Sequence, residues 1–490
     1  MTVLCNGNNK MGEMTSGNTD RKIVETFLIK AGVNHFYCLN KTDIQKQLFA
    51  ILITCIFFTG CAAQKNTASE TQAVKFDFGG KAAPGFTSVA SNVIYNDEKG
   101  FGFEPGAIIK EVATPTRDAK QDSYATSDKP FYFSVKLPEG NYTIKLYLGD
   151  KNGVSDVAVR AECRRMMVNR LQTKTGDIAT IEFTVHVRDS FINNTTNKVK
   201  LKPREHNYFH WDNKLTLELN GSDPKINALE ISPAKNTTTV FLAGNSTEVD
   251  QAEEPYAAWG QMLPSFFEPG KVAIANYAES GESLSSFIGE RRLAKILSLL
   301  KSGDYAFIQF GHNDQKQKGP GIGAFTSFKK DLTFFISEVR KKGGNPVLIT
   351  SMQRRSFDSA GKIKETLGDY PDAVRQTAQE LGVPLIDLNK ESKIMYEAWG
   401  PMESIKAFVH FPANTFPGQT AELKDDTHFT PFGAYEISKI IVEGIRKNNL
   451  GIAGAIKKDT PVFNPANPDH FASFYWPYSP STATAKPDGN

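Results

Sequence analysis

Three short segments in the second half of the chain carry residues whose types and order could do chemistry. They are Gly244-Asn245-Ser246-Thr247, Gly311-His312-Asn313-Asp314 and Asp425-Asp426-Thr427-His428. A serine hydroxyl is a poor nucleophile by itself and needs a base within hydrogen-bond reach, with a third group to orient that base. Ser246, His428 and Asp425 supply those three parts, and Asp425, three residues ahead of His428, can hold one tautomer of its ring. The Asn313 amide can donate to an oxyanion, helped by the backbone N–H groups of Ser246 and Gly281. Gly281 suits a tight turn where backbone must approach a substrate. This is the part list for acyl transfer through a covalent serine intermediate, and it calls for no metal and no cofactor. Each segment alone is a common turn or cap; their order and their placement at strand ends carry the reading.

Those placements come from the elements around them. Beyond Asn236 the chain has short, continuously apolar runs at 240–243, 272–275, 305–310, 346–350 and 383–387. Amphipathic stretches at 293–300, 328–340, 373–381 and 433–446 lie between and after them. Buried strands alternating with helices predict a parallel sheet covered on both faces, with sites at the carboxyl ends of its strands. Ser246 and Asn313 each follow such a run. Thr430 and Pro431 predict an N-cap and a first-turn proline that fix the segment holding His428.

Ahead of this region the pattern changes to alternation, at 74–78, 131–135, 142–148, 181–185 and 215–219, with turn signals between the runs. Residues 224–231 read as the last strand before a linker. Several short strands and few helical windows predict an antiparallel sandwich. The expected organisation is therefore multidomain: a β-sandwich at 73–235, a three-layer α/β domain at 238–450, and an aromatic and proline-rich tail at 451–490 that packs back on the domain or lines its cleft.

With 490 residues, two domains plus tails are expected, and 40% hydrophobic residues are ample for their cores. A formal charge of +3 points to no nucleic-acid partner. The cysteines, Cys5, Cys38, Cys55, Cys61 and Cys163, show no metal-ligand spacing and no disulfide framework. Residues 48–60 are apolar, follow Lys41 and Lys46, and end in Cys61-Ala62-Ala63, as a secretory signal does. Phe58-Thr59-Gly60-Cys61 resembles a bacterial lipobox, which would lipidate Cys61 and attach the protein to a membrane; cleavage near Ala63 is the rival. We expect residues 1–64 to be an over-extended start followed by this signal, residues 65–72 a tether, and the mature protein exported to the periplasm or the bacterial cell surface.

The blocks resemble the SGNH (GDSL-type) hydrolases, whose domain is flavodoxin-like, over about residues 238–448. The branch they are most similar to is the rhamnogalacturonan acetylesterases, through Phe241-Leu-Ala-Gly-Asn-Ser-Thr247, Gly281, Gly311-His-Asn-Asp314, Asp425-Asp-Thr-His428 and 408–418. The resemblance implies an ester hydrolase acting on acetylated plant cell-wall polysaccharide. It also implies that the sandwich is a galactose-binding-like module. The family writes Gly-Asp-Ser where this chain has Asn245, which keeps size and an acceptor oxygen but not the charge.

Among the other residues, Arg354, Arg355 and His410 are candidates for substrate contact, with Arg354 and Arg355 suited to an acidic sugar. His312 is expected to support its loop. His186, His206 and His210 have no evident partners, and Tyr208-Phe-His-Trp211 is either a packing cluster or a sugar platform. The alternatives are an esterase of another acylated glycan, such as acetylated xylan, and a glycan-binding lipoprotein whose esterase domain is inactive.

Overall fold

The computed structural model describes residues 73–488, apart from 80, 81, 115–117, 194, 484 and 485. The signal segment, Cys61 and the tether lie outside the described residues. The described chain belongs to one compact unit, Thr71–Asn490. Among the described residues no helix is long and apolar enough to cross a membrane.

The first half folds into two facing five-stranded sheets. One runs in the order Ile178–Val187, Gly140–Gly149, Ala228–Pro233, Val74–Phe78 and Thr87–Val89; the other Phe101–Phe103, Phe131–Lys136, Lys214–Asp223, Ser155–Ala161 and Arg165–Thr173. Pairing is antiparallel except between Val74–Phe78 and Thr87–Val89. Alternation explains the packing: every second residue points inward, so Phe76 and Ile144 of one sheet meet Phe133 and Leu217 of the other in one core. Two strands, Ser155–Ala161 and Arg165–Thr173, lie outside the expected runs; Arg160 and Arg165 stand in them, and Glu162 and Arg164 in the turn between. All four are nevertheless buried. The run 224–231 divides into Lys225–Ile226 and Ala228–Pro233.

The second half is a five-stranded parallel sheet, ordered Val272–Asn276, Thr238–Ala243, Tyr305–Phe310, Asn345–Thr350 and Leu385–Ile386. Its residues alternate between two buried faces. Val240 and Leu242 join the core that includes the Pro431–Lys447 helix, while Phe241 and Ala243 join the core under Arg292–Leu299 and Lys329–Lys341. That double burial is why these strands read as unbroken apolar runs. In chain order the sheet is 2-1-3-4-5, the flavodoxin-like order, with its switch point beside Thr238–Ala243.

Two elements were not among the expected runs. Asp425–His428, read only as a segment ahead of a helix, is part of the strand Leu423–Phe429, paired antiparallel with Phe408–Phe411. The missing sequence cue is that Lys424, Asp425 and Asp426 put charges where a strand is read from apolar alternation. The stretch after Asp387 is a helix, Leu388–Glu403, broken at Gly400 (φ +72°) before Pro401, and the run before it shortens to Leu385–Ile386. Beyond the last long helix the tail packs back on both halves: Phe474 and Trp476 lie against the α/β core, and Ser479 donates to Glu218 of the sandwich.

The halves are joined by buried ion pairs. Arg292 of the α/β part is fully buried and grips both oxygens of Glu205, at 3.1 and 2.5 Å. Removing one partner of such a pair leaves the other charge buried without compensation. An Arg292→Met variant should therefore lose about 3–5 kcal/mol of stability, read from urea unfolding, whereas a surface change such as Lys341→Met should cost under about 1 kcal/mol.

Candidate active site

Ser246 follows the Thr238–Ala243 strand, at the carboxyl end where the strand order reverses. Its loop is shaped from below by a carboxyl group. Glu248 Oε2 accepts from the Asn245 N–H at 2.7 Å and occupies the space that a side chain at position 244 would fill. Gly244 is thus required by the close approach of Glu248. Burial raises the Glu248 carboxyl well above its ordinary value. Asn245 is fully buried, and its Oδ1 accepts from the Thr247 N–H (3.2 Å) and hydroxyl (3.1 Å). The Thr247 hydroxyl accepts from Gln309 at 2.9 Å, and Gln309 accepts from the Trp259 indole at 3.0 Å. The loop is therefore tied to the neighbouring Tyr305–Phe310 strand.

His428 reaches this loop from the Leu423–Phe429 strand. Its Nε2 lies 2.8 Å from Ser246 Oγ, and its Nδ1 lies 2.8 Å from Asp425 Oδ2. The other Asp425 oxygen accepts from the backbone N–H groups of Thr427 (2.9 Å) and His428 (3.0 Å). Burial would raise the Asp425 carboxyl, but the His428 ring and these two amides outweigh it and hold it at about 2. Tyr256 packs edge-on against the imidazole, ring centroids 5.9 Å apart. Asp425, Ser246 and His428 are at most 2% exposed, so their hydrogen bonds lie largely out of water. A carboxylate, imidazole and hydroxyl so connected can pass the hydroxyl proton to the ring as oxygen attacks an acyl carbon.

The oxyanion candidates Asn313 and Gly281 are drawn together at another turn. Asn313 Nδ2 donates to the Glu282 carbonyl at 2.9 Å, which leaves its second amide hydrogen to serve a ligand. Asp314 staples the segment: its oxygens accept from Leu284 N–H (2.8 Å) and Gly311 N–H (2.9 Å), while burial pushes its carboxyl up to about 7. The Ser246 carbonyl accepts from Gln251 Nε2 at 2.8 Å.

The remaining candidates separate. Arg355 and His410 both meet Asp426 Oδ1, at 2.8 and 2.9 Å, and Arg355 also donates to the Pro401 carbonyl and Ser404 hydroxyl. Arg354 donates to Thr366 and has no ion pair among the described residues; burial lowers its pKa. His312 is buried, and burial first, then Arg354 and His428, keep its ring neutral. His186, expected to lack partners, has two: Asn141 Oδ1 at 2.7 Å and the Tyr277 hydroxyl at 3.1 Å, groups far apart in sequence. His210 and Trp211 are buried in packing. Glu205, His210 and Glu279 bring potential ligand atoms within 4.8 Å of one another. Glu205, however, already accepts from Arg292 twice, from Trp211 and from the Lys202 N–H, so its lone pairs are taken. Three residues that sequence reading passed over complete the site: Glu248, Gln251 and Gln309. Gln309 has a signal, a polar residue inside an apolar run, whereas Glu248 and Gln251 stand in a polar stretch and have none.

The depressed Asp425 carboxyl has a consequence for stability. Its contribution is complete above the ordinary value near 4 and is lost as pH falls toward about 2, where the folded form also takes up a proton. The urea midpoint of an Asp425→Asn variant should accordingly fall less steeply between about pH 4 and 2 than that of the unaltered protein.

The chain matches the GDSL-like Lipase/Acylhydrolase family over residues 241–434. Residues 74–202 match the β-agarase/YXIM esterase-like, galactose-binding domain-like family. The chain is 45% identical over 218 residues to the rhamnogalacturonan acetylesterase RhgT of Bacillus subtilis, covering 44% of this chain and 93% of that one. It is 27% identical over 421 residues to the uncharacterized esterase YxiM of the same organism, 84% of this chain and all of that one. A rhamnogalacturonan acetylesterase of Emericella nidulans is 29% identical over 196 residues, 36% of this chain and 77% of its own length. The chain therefore belongs to the GDSL-like lipase/acylhydrolase family and carries a galactose-binding-like domain ahead of the hydrolase domain.

Proposed function

We propose that this protein is an exported serine esterase that removes acetyl groups from pectic rhamnogalacturonan. The observation that carries the reading is the unbroken relay from Asp425 through His428 to Ser246, with both links at 2.8 Å. Ser246 Oγ attacks the acetyl carbonyl while His428 Nε2 takes the hydroxyl proton. The tetrahedral oxyanion is held by the N–H groups of Ser246 and Gly281 and by the Asn313 amide. His428 returns the proton to the departing sugar oxygen, leaving acetyl on Ser246. A water molecule then repeats the sequence and releases acetate. Asp425 steadies the imidazolium throughout.

Support for the pectic polymer comes from the names of the relatives and from local charge. Lys316 lies 3.3 Å from Asn313 Oδ1, and Arg354 depresses its pKa further after burial has begun to. Two cations that repel one another beside the oxyanion donors suit an acidic sugar ring. Of the two arginines, Arg354 is the better placed for a uronate, because Arg355 is committed to Asp426. The preceding sandwich supports a glycan target, and the signal segment supports export.

Acetate release from acetylated rhamnogalacturonan, measured beside acetylated xylan, tests the reading. Release from the pectic polymer should drop roughly a millionfold in Ser246→Ala. Release from xylan alone would move the substrate, and no release from any acetyl ester would sink the esterase reading. An Arg354→Gln variant should raise KM for the acidic polymer about 10- to 100-fold while leaving turnover of 4-nitrophenyl acetate unchanged, since a hydrogen bond to a charged group is worth roughly 1.5–3 kcal/mol.

A further inference from the structure

The turn that carries Gly281 has two peptide-flip states. The Glu282 N–H donates to the Glu279 carbonyl at 3.2 Å, Gly281 has φ +84°, and Ser280 is not among the positive-φ residues, so residues 279–282 form a type II turn. In a type I turn of the same four residues the central Ser280–Gly281 peptide is rotated by roughly half a revolution, and its carbonyl and N–H exchange sides. The peptide is planar and trans, so these two groups point in opposite directions. Whatever holds the Ser280 oxygen therefore aims the Gly281 N–H.

That oxygen is held by the β-sandwich. It accepts from Lys202 Nζ at 2.5 Å and from Arg204 Nη2 at 2.8 Å. Each cation also grips a carboxylate at one end of the turn: Lys202 pairs with Glu282 at 2.7 Å and Arg204 with Glu279 at 2.6 Å. Lys202 and Arg204 lie between the Ile178–Val187 and Lys214–Asp223 strands, on a segment anchored by the buried Glu205. The turn is seated against the nucleophile loop, because the Glu279 N–H donates to the Gly244 carbonyl at 3.3 Å. No described residue accepts from the Gly281 N–H. A side chain at 281 would meet Asp488 Cβ at 3.1 Å and Lys202 Nζ at 3.2 Å, so the tail and the clamp together leave the position to glycine.

We propose that Lys202 and Arg204 are positioning residues that lock the Ser280–Gly281 peptide in the state whose N–H faces the oxyanion on Ser246, so that the sandwich completes the active site of the hydrolase domain. This rests on the reading of Gly281 as an oxyanion donor in a serine esterase. Neither cation touches substrate. Both act through one peptide plane, and the type I state, open to any residue, becomes accessible when they are removed.

The test uses the full chain, 4-nitrophenyl acetate as substrate and phenylboronic acid as a tetrahedral analogue on Ser246. In a Lys202→Met/Arg204→Gln double variant kcat should fall about 10- to 100-fold, part of what losing an oxyanion donor costs. KM should stay within about threefold, the pattern of an interaction made only in the transition state. Affinity for the boronate should fall by the same factor as kcat/KM, and Arg204→Lys should retain most of the activity. A folded double variant with unchanged kcat overturns the proposal. So does a loss confined to KM with boronate affinity intact. If the double variant does not fold, Lys202→Met alone decides by the same readouts, since its side chain is already one-fifth exposed; boronate binding equal to that of the unaltered protein overturns the proposal. An unaltered protein inert toward every acetyl ester would instead sink the esterase reading itself.

Discussion

Buried charge neutralised across a domain boundary is the constraint on which the rest of this structure depends. Arg164 and Arg165 sit at the turn between two sandwich strands, are at most 3% exposed, and enter the α/β half. Arg165 meets Asp250 at 2.6 Å, and Arg164 meets Glu254 and donates to the carbonyls of Gln251 and Tyr256. Arg292 returns the arrangement in the other direction through Glu205. Desolvating a guanidinium is tolerated only when a carboxylate and further hydrogen bonds meet it. The two halves are therefore placed so that each of these guanidinium groups meets a carboxylate across the boundary.

The consequences run straight to the loop of Ser246. Asp250, held by Arg165, accepts from Asn276 at 2.8 Å, and Asn276 also donates to the Glu248 carbonyl at 2.6 Å. Gln251, whose carbonyl Arg164 holds, supports the Ser246 carbonyl. Tyr256, held through its carbonyl by Arg164, packs on His428. The loop around Ser246 is thus fixed from three sides: by the switch point of the parallel sheet, by the Gln309–Trp259 bonds, and by the sandwich. Such over-determination keeps a reactive geometry in place while a substrate is bound and released.

What was legible in the sequence was what short-range chemistry dictates. The parallel strands read as apolar runs because both their faces are covered, and the run at 305–310 coincides with the strand Tyr305–Phe310. Thr430 caps the Pro431–Lys447 helix, its side chain accepting from the Gly433 N–H, as a threonine before proline suggests. The strand bearing Asp425 and His428 was not legible as a strand, since its charged residues owe their burial to partners elsewhere. In Ser155–Ala161 the alternation of Val157, Val159 and Ala161 was there to be read, but not the burial of Arg160, which Glu218, Ser479 and the carbonyl of Pro477 meet. His186 lacked a visible partner because Asn141 and Tyr277 lie 45 and 91 residues away. Periodicity reports which faces are dry; it does not report long-range pairing of polar groups.

The tail gives the chain an order of events. Arg160 stacks on Trp476, 3.7 Å from the ring centroid, and donates to the Ser479 hydroxyl, a residue 319 positions later. The Ser479 backbone N–H also donates to Glu254 Oε1, so one short stretch touches both halves at once. A sandwich synthesised first would hold Arg160 and Glu218 beneath an uncovered surface until that stretch arrived. Contacts of such sequence separation close late, because their loop entropy is met only after local structure exists. That stretch is then the keystone laid over an arch already standing, and a chain interrupted before it would leave the Arg160–Glu218 pair open to water.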